Sequence, residues 1–453
     1  PGERQAALGV HGLVQVDQMA GTDFVLARPA AGPVPIGPLL ADPAVAGARP
    51  PAPVRALGRF GPGDGPDDPL FATAQWHLHE VGIPEAWQVS TGVGATVAVL
   101  DTGVAYEDFP PFHRAPDLAG TRFVAGYDFV DDDDHPDDVP LPGQHTHGTH
   151  IAGTIAQTSG NGIGGAGVAP GAAIMPVRVL APDGTGTTWA TAKGLRFAAD
   201  HGANVANLSL GGTIGSPELA DAVAYAVSRG VTVVVAAGDD GRPSLLYPAA
   251  YPEVVAVGAV RLDGTRPAYS DYGPGLALVA PGGDLGADQN GDKLDDGIVQ
   301  QTLSGQPGSF CFCFLEGTSS AAAHVSGAAA LVVASGRAAR PADVRAALVS
   351  TAHDLGRPGR DDEYGAGLLQ IPTALGLRYD YRPLVTVLPG GPAPGATSSG
   401  PGSVPVTRRR DLLPASPRGR ARAPAGKVAA LALAAGLGLA VVLGAARCRR
   451  RRP

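Results

Sequence analysis

Three cysteines in 453 residues are too few for a disulfide framework. Cys311 and Cys313 flank one phenylalanine, where a bridge would be strained, and sit among Phe310, Phe312, Phe314 and Leu315; free buried thiols are expected. Cys448 lies apart, beside the arginines of the tail. The chain opens on Pro1 rather than Met and shows no signal-peptide pattern, so an N-terminal segment is expected to have been cleaved or to fall outside this sequence. Positive charge is scarce except at one end. Residues 408–453 hold twelve Lys and Arg against one acid, so the tail carries +11 and the rest −19 of a net −8. So acidic a body argues against nucleic acid as its partner. It suits solubility outside the cell, or cation sites. The H-E-x-x-H signature of zinc peptidases is also missing: His145, His147 and His150 cluster, but no Glu lies between them to act as base.

What the sequence does hold is concentrated in three stretches. In Glu316-Gly317-Thr318-Ser319-Ser320 a Gly-Thr turn delivers a serine to the first turn of a helix built from small residues, Ala321 to Ala334. A helix small and apolar all round is buried inside a larger domain. A serine at its start has free backbone N–H groups and the positive end of the helix dipole beside its oxygen, which favours an oxyanion there. Alone, the same serine reads equally as a helix cap. In Thr96-Val97-Ala98-Val99-Leu100-Asp101-Thr102-Gly103 an apolar run ends in an acid and a glycine turn, as a buried parallel strand does when it delivers Asp101 at its C-terminal end. Ligand sites of open α/β sheets lie at that end. The third stretch, His145 to Thr154, is a His-rich turn entering another small-residue helix.

Asp, then His-Gly-Thr-His, then Gly-Thr-Ser, in this order, resembles the subtilisin-like serine proteases, from about Asp68 to Leu377. The resemblance implies that Ser319 is the nucleophile, His147 the general base and Asp101 the group that orients the imidazole. It implies polypeptide substrates, bound extended between Ser209, Leu210 and Gly211 on one edge and Gly184 and Gly186 on the other. Where most relatives carry an oxyanion-donating Asn after Ala-Ala-Gly, this chain has Asp239, and an ionised carboxylate cannot donate. A branch of the kexin-like relatives shares that Asp and is proteolytic. The other reading of Asp239 is a plain turn residue in Asp-Asp-Gly. Ser320, Ala322 and Ala323 replace the usual Met, Thr and Pro after the serine without touching proton-transfer chemistry.

Calcium is the implied cofactor, since it takes several oxygen ligands. Asn161 with the Ile163 and Gly165 carbonyls resembles the family's calcium loop, with Asp117 and Asp68 as distant ligands. Asp128, Asp131, Asp133 and Asp137 resemble the acidic loop that binds a second calcium in the thermitase branch. Asp288, Asn290, Asp292 and Asp296 begin like a calcium loop but lack its Gly and distal Glu.

Strand-like runs at 96–100, 174–180, 205–210, 231–237, 254–260 and 276–280 have helical patterns between or after them, at 188–201, 216–229, 319–335 and 341–350. This alternation predicts an α/β fold in three layers, a doubly wound and mostly parallel sheet with helices on both faces. The expected divisions are an N-terminal arm or prosegment remnant over 1–30, a Pro/Gly-rich linker or processing region over 31–67, and a peptidase domain, expected to be monomeric, over 68–378. A disordered linker over 379–427, a transmembrane helix over 428–446 and a basic cytoplasmic end over 447–453 follow. The nineteen uncharged residues from Val428 to Ala446 just suffice to cross a membrane. The expectation is therefore an exported protease anchored to the membrane by its C-terminal helix. A non-catalytic peptide-binding protein of the same fold is the alternative, because Asp239 compromises the oxyanion site.

Overall fold

The computed structural model describes residues 66–385 and, before them, 8–11, 13–18, 25–30 and 38. The apolar run at 428–446, its basic flank and most of both linkers lie outside the described residues. Among the described residues no helix is long and apolar enough to cross a membrane.

Two N-terminal strands, β1 (Leu13–Gln18) and β2 (Val25–Pro29), pair antiparallel. Short helices α1 (Trp76–Glu80) and α2 (Ile83–Ala86) precede β3 (Thr96–Asp101). Then come β4 (Arg122–Phe123), β5 (Tyr127–Asp128), α3 (Gly148–Ala156), β6 (Ala173–Arg178), α4 (Thr188–Asp200), β7 (Val205–Leu208), α5 (Pro217–Ser228), β8 (Thr232–Ala236), β9 (Val255–Val260) and β10 (Leu278–Pro281). The sheet runs β10-β9-β8-β7-β3-β6-β4, with β5 also on β6, and every pairing in it is parallel. A hairpin of β11 (Ile298–Leu303) and β12 (Phe310–Leu315) leads into α6 (Thr318–Ala334), α7 (Pro341–Ser350) and α8 (Ile371–Ala374).

Alternation along β3 explains the three layers. Successive side chains of a strand point to opposite faces. Val97 and Val99 pack with α3, α6 and α7, whereas Ala98 and Leu100 pack with α4 and α5. Covered on both faces, the central strands are apolar throughout, as buried parallel strands are. The small side chains of α6 are buried from Ser320 to Val332 at the heart of the first layer.

Two expectations are corrected. Cys311 and Cys313 are joined by a disulfide rather than free. They stand two apart on β12, so both side chains point to one face, and their Cα atoms are 5.5 Å apart, within the ordinary range for a bridge. The domain also continues past 378. The Tyr381 ring lies 4.4 Å from that of His353 and its hydroxyl donates to Glu80, Leu384 N–H donates to the same carboxylate at 3.4 Å, and Val385 packs against Trp76 and Ile298.

Candidate active site

Three neighbouring strands end side by side: β7, β3 and β6. β3 ends on Asp101, fully buried. Its Oδ1 accepts the Thr102 N–H at 2.8 Å and faces His147 Nδ1 at 2.7 Å. His147 caps α3, and the helix comes this close because residue 148 is glycine. A Cβ there would stand 2.1 Å from the Gly103 carbonyl oxygen and 3.1 Å from Asp101 Oδ1. Burial opposes charge on the imidazole, but the carboxylate of Asp101 and its hydrogen bond outweigh this, and the His147 pKa rises. The outer part of the ring remains open to the cleft, with 27% of the side chain exposed.

Ser319 stands in the first turn of α6, half-buried. Its hydroxyl donates to the Ser209 carbonyl at 3.3 Å, and the Ser209 hydroxyl donates to the Ser319 carbonyl at 3.0 Å. The Ser319 hydroxyl is thus turned to Ser209 rather than to His147; catalytic serine–histidine hydrogen bonds are often long or misaligned until substrate binds. Behind them Asn207 Nδ2 donates to Ser209 Oγ at 3.0 Å, and Ser326 Oγ donates to Asn207 Oδ1 at 2.9 Å. Leu210 and Gly211 follow Ser209 beyond β7. Gly184 and Gly186 lie on an exposed turn beyond β6, where Gly186 bridges Leu180. The two stretches thus flank Asp101 across the end of β3.

Asp239 lies against the start of α6. Its Oδ1 accepts the Thr318 N–H at 2.8 Å. Gly317, at φ +150°, a conformation that favours glycine, passes so close that a Cβ would stand 3.1 Å from Oδ2. Desolvation by the packed loops raises the Asp239 pKa, the Thr318 N–H works against this, and Asp271 adds to the rise. The side chain still meets water in the cleft, so a substrate covering it would raise the pKa further.

Two polar residues escaped the sequence reading. Buried Asp138 accepts from the Thr102 hydroxyl at 2.8 Å and from the Thr149 N–H and hydroxyl at 2.8 and 2.7 Å. Thr102 in turn accepts the Gly148 N–H at 2.9 Å. Asp138 therefore ties the Asp101 turn to the first turn of α3. Within a run of acids nothing in the sequence distinguished it. Asn207 did leave a signal, as the one amide in an apolar strand.

The three clustered histidines diverge. His147 faces Asp101, His150 Nε2 donates to the carbonyls of Ile298 and Cys313 at 3.0 and 3.1 Å, and His145 faces the cysteines. They form no common metal site.

Of the three acidic constellations, the second does not bring its four carboxylates together. Arg178, at the end of β6, reaches Asp128 at 2.6 Å and Asp131 at 2.5 Å, while Asp133 accepts the His135 N–H at 2.9 Å. Asp137 turns the other way toward Glu107 and His135; burial, then Glu107, pushes its carboxyl up to about 9. Asp128 and Asp131 therefore share Arg178, and Asp137 lies with Glu107 and His135 rather than with them. The first loop does converge. Asn161 donates through its backbone to Asp68 at 3.0 Å and through its side chain to Asp117 at 2.8 Å, and the Gly165 N–H reaches Asp117 at 3.2 Å. Ile163 N–H donates to Asn161 Oδ1 at 2.9 Å, and the Gly165 carbonyl accepts from Gln157 at 3.2 Å. Burial, with the charge of Asp68, contributes to raising Asp117 to about 7. In the third loop Asp288, Asn290 and Asp292 hold their own turn, and Asp296 closes it by accepting the Gln289 N–H at 2.6 Å. Burial, with Asp292, Asp288 and Asp284 nearby, raises Asp296 to about 6. Both loops hold acidic side chains near one another, a donor type suited to calcium.

A buried Asp–His pair and a helix-borne serine at the C-terminal edge of a parallel sheet are the layout of a serine hydrolase. Residues 92–367 match the subtilase family, peptidase S8, and the chain belongs to that family; it is a serine-type endopeptidase. It is 38% identical over 294 residues to thermitase of Thermoactinomyces vulgaris, covering 65% of this chain and 94% of that one. It is 40% identical over 303 residues to subtilisin BL of Lederbergia lenta, covering 66% and 97%. Among solved structures, a protease of Pseudoalteromonas arctica superposes with a TM-score of 0.60 at 32% identity, covering 69% of this chain and 99% of that one. Fervidolysin of Fervidobacterium pennivorans, a keratinolytic enzyme related to subtilisin, gives 0.58 at 31%, covering 68% and 46%.

Proposed function

We propose that Ser319, His147 and Asp101 form the catalytic triad of an exported, membrane-tethered endopeptidase that cleaves polypeptides through an acyl-enzyme. The observation that carries this is the 2.7 Å contact of His147 Nδ1 with buried Asp101. Nδ1–H donates to the carboxylate, which leaves Nε2 as the base. As Ser319 Oγ attacks the scissile carbonyl, Nε2 takes its proton and the new imidazolium is stabilised by Asp101. The leaving amine receives that proton, and water, activated by the same nitrogen, releases the acyl group. Substrate lies extended between Ser209–Gly211 and Gly184–Gly186. The test is stoichiometric labelling by a fluorophosphonate, with the adduct mapped to Ser319. No labelling of the folded chain would favour the alternative, a non-catalytic peptide-binding protein, which the carboxylate of Asp239 at the start of α6 specifically supports.

Calcium is proposed at two loops, Asp68/Asp117/Asn161 with the Ile163 and Gly165 carbonyls, and Asp288/Asn290/Asp292/Asp296. When bound it supplies positive charge that holds the loops, and no chemical step passes through it. Chelation is then expected to lower Tm before it alters kcat. A ligand that binds only the folded form stabilises it by about 2.7 kcal/mol at a hundredfold excess over Kd. Calorimetry with and without EDTA decides this; an unchanged Tm in calcium-free protein removes the metal.

The membrane anchor is proposed for Val428 to Ala446, with the arginines beyond it as a stop. Deleting residues 428–453 is expected to move the protease from the membrane fraction to the soluble one. Continued sedimentation with lipid would place the tether elsewhere. The catalytic domain is proposed to act as a monomer.

A further inference from the structure

The fold brings His145 to Cys311 and Cys313 across more than 160 residues of sequence. We propose that these three side chains, once the Cys311–Cys313 bridge is reduced, form a binding site for a zinc-class divalent ion beside the segment that carries His147. The donor atoms of all three lie within 4.8 Å of one another. His145 Nδ1 stands 3.5 Å from Cys311 Sγ and 3.7 Å from Cys313 Sγ. Two ligands of one tetrahedral zinc, at about 2.3 Å for sulfur and 2.0–2.1 Å for nitrogen, are about 3.6 Å apart. His145 Nδ1 thus already stands at ligand spacing from both sulfurs, although Nε2 lies as near to Cys313 Sγ, at 3.8 Å. The sulfurs must part to about 3.8 Å, the spacing of two thiolates on one zinc, and the ring must turn to aim one nitrogen at the ion. Two thiolates and an imidazole are a donor set suited to zinc and poor for calcium or magnesium. Three protein donors also leave the fourth position open to water.

The framework around the site is rigid. Cys311 pairs with Thr302 across the hairpin, and the Thr302 hydroxyl donates to the Thr146 carbonyl at 2.7 Å. The Thr146 N–H donates to the Leu303 carbonyl at 3.1 Å, and His145 bridges Ser304. The Cys313 carbonyl accepts from His150 on α3. β11 and β12 therefore grip the chain on both sides of His147, and an ion at Cys311 and Cys313 sits against that grip.

The chemistry proceeds in two balanced steps. A dithiol reductant gives two electrons and two protons to the bridge, leaving two cysteine thiols and the reductant's own cyclic disulfide. The ion then displaces the two thiol protons and takes a lone pair from neutral His145.

The experiment uses the full chain, reduced and freed of reductant, with Co²⁺ as a spectroscopic probe and Zn²⁺ as its competitor. One equivalent of Co²⁺ should give a thiolate-to-cobalt charge-transfer band that one equivalent of Zn²⁺ abolishes. The oxidised chain should show no such band, which makes the wild-type protein its own control for folding. Cys448→Ser should keep the band. Cys311→Ser and Cys313→Ser should each abolish it, and His145→Ala should weaken Zn²⁺ binding by about tenfold or more. The proposal is overturned if the reduced wild type gives no sulfur band, or if the band survives in Cys311→Ser or Cys313→Ser. It is also overturned if His145→Ala binds as tightly as wild type. None of these readouts depends on peptidase activity, so the site stands or falls separately from the triad assignment.

Discussion

Ser319→Ala is expected to lower kcat by a factor on the order of 10⁶ while leaving the protein folded. Triad members act as a unit, so removing the nucleophile costs nearly all that the unit supplies. His147 and Asp101 cannot make an acyl-enzyme by themselves. What remains is the residual acceleration, about 10³–10⁴ over water, that binding and oxyanion stabilisation give without a nucleophile. Stability should barely change. Ser319 is half-buried, and its hydroxyl makes one hydrogen bond within the protein, to the Ser209 carbonyl at 3.3 Å, which contributes about 1 kcal/mol. Alanine, moreover, is the best helix former, and Ala321, Ala322 and Ala323 follow in the same helix. The measurements are kcat on an internally quenched peptide and Tm for wild type and variant prepared in parallel. Activity within tenfold of wild type would reject Ser319 as nucleophile. A fall in Tm of many degrees would instead show that the hydroxyl holds the fold.

Much of this was legible in the sequence, for reasons that can be named. β3, β6, β7, β8 and β9 are covered on both faces, so each leaves a largely apolar run, broken in β7 by Asn207, whose C-terminal end marks the functional edge. Asp101 stood out because an acid ends such a run. The small-residue helix at Thr318–Ala334 stood out because few helices are apolar all round. Other features were invisible because they depend on which segments meet in the fold. β11 and β12 hydrogen-bond to each other, and β12 reads Phe-Cys-Phe-Cys-Phe-Leu, apolar at every position and so without the alternation that marks a half-buried strand. The bridge within β12 was dismissed on sequence distance alone, whereas extended backbone puts both sulfurs on one face. The acidic loop read as four carboxylates in one run; that Arg178, fifty residues from Asp128, meets two of them and that Asp137 turns to Glu107 was not legible. Asp138 was one acid among several until Thr102 and Thr149 converged on it.

Asp239→Asn is expected to raise turnover at neutral pH by about ten- to a hundredfold and to remove the alkaline limb of the pH–rate profile. In the wild type two groups must hold opposite protonation states. His147 must be neutral to act as base, and Asp101 raises its pKa, which moves the onset of activity upward from the ordinary value of about 6.5. Asp239 must keep its proton to donate to an oxyanion. Its pKa is also raised, by desolvation first and then by Asp271, but the Thr318 N–H stabilises its ionised form and limits that rise. With these proposed roles, activity is expected to climb as His147 loses its proton and to fall as Asp239 loses its own. Where the two titrations overlap, only a fraction of molecules is competent even at the optimum. Asparagine separates the two tasks. Its amide oxygen can accept the Thr318 N–H, as Asp239 Oδ1 does at 2.8 Å, while its NH₂ group donates at any pH. An oxyanion donor of this type is worth about 10²–10³ in kcat in subtilisin, which sets the ceiling for the gain. The check is kcat/KM against pH for both forms on one peptide. A variant curve that rises through the His147 titration and then stays level places residue 239 at the oxyanion. A curve merely scaled, with its alkaline limb intact, assigns Asp239 to the start of α6 alone, as the acceptor for Thr318.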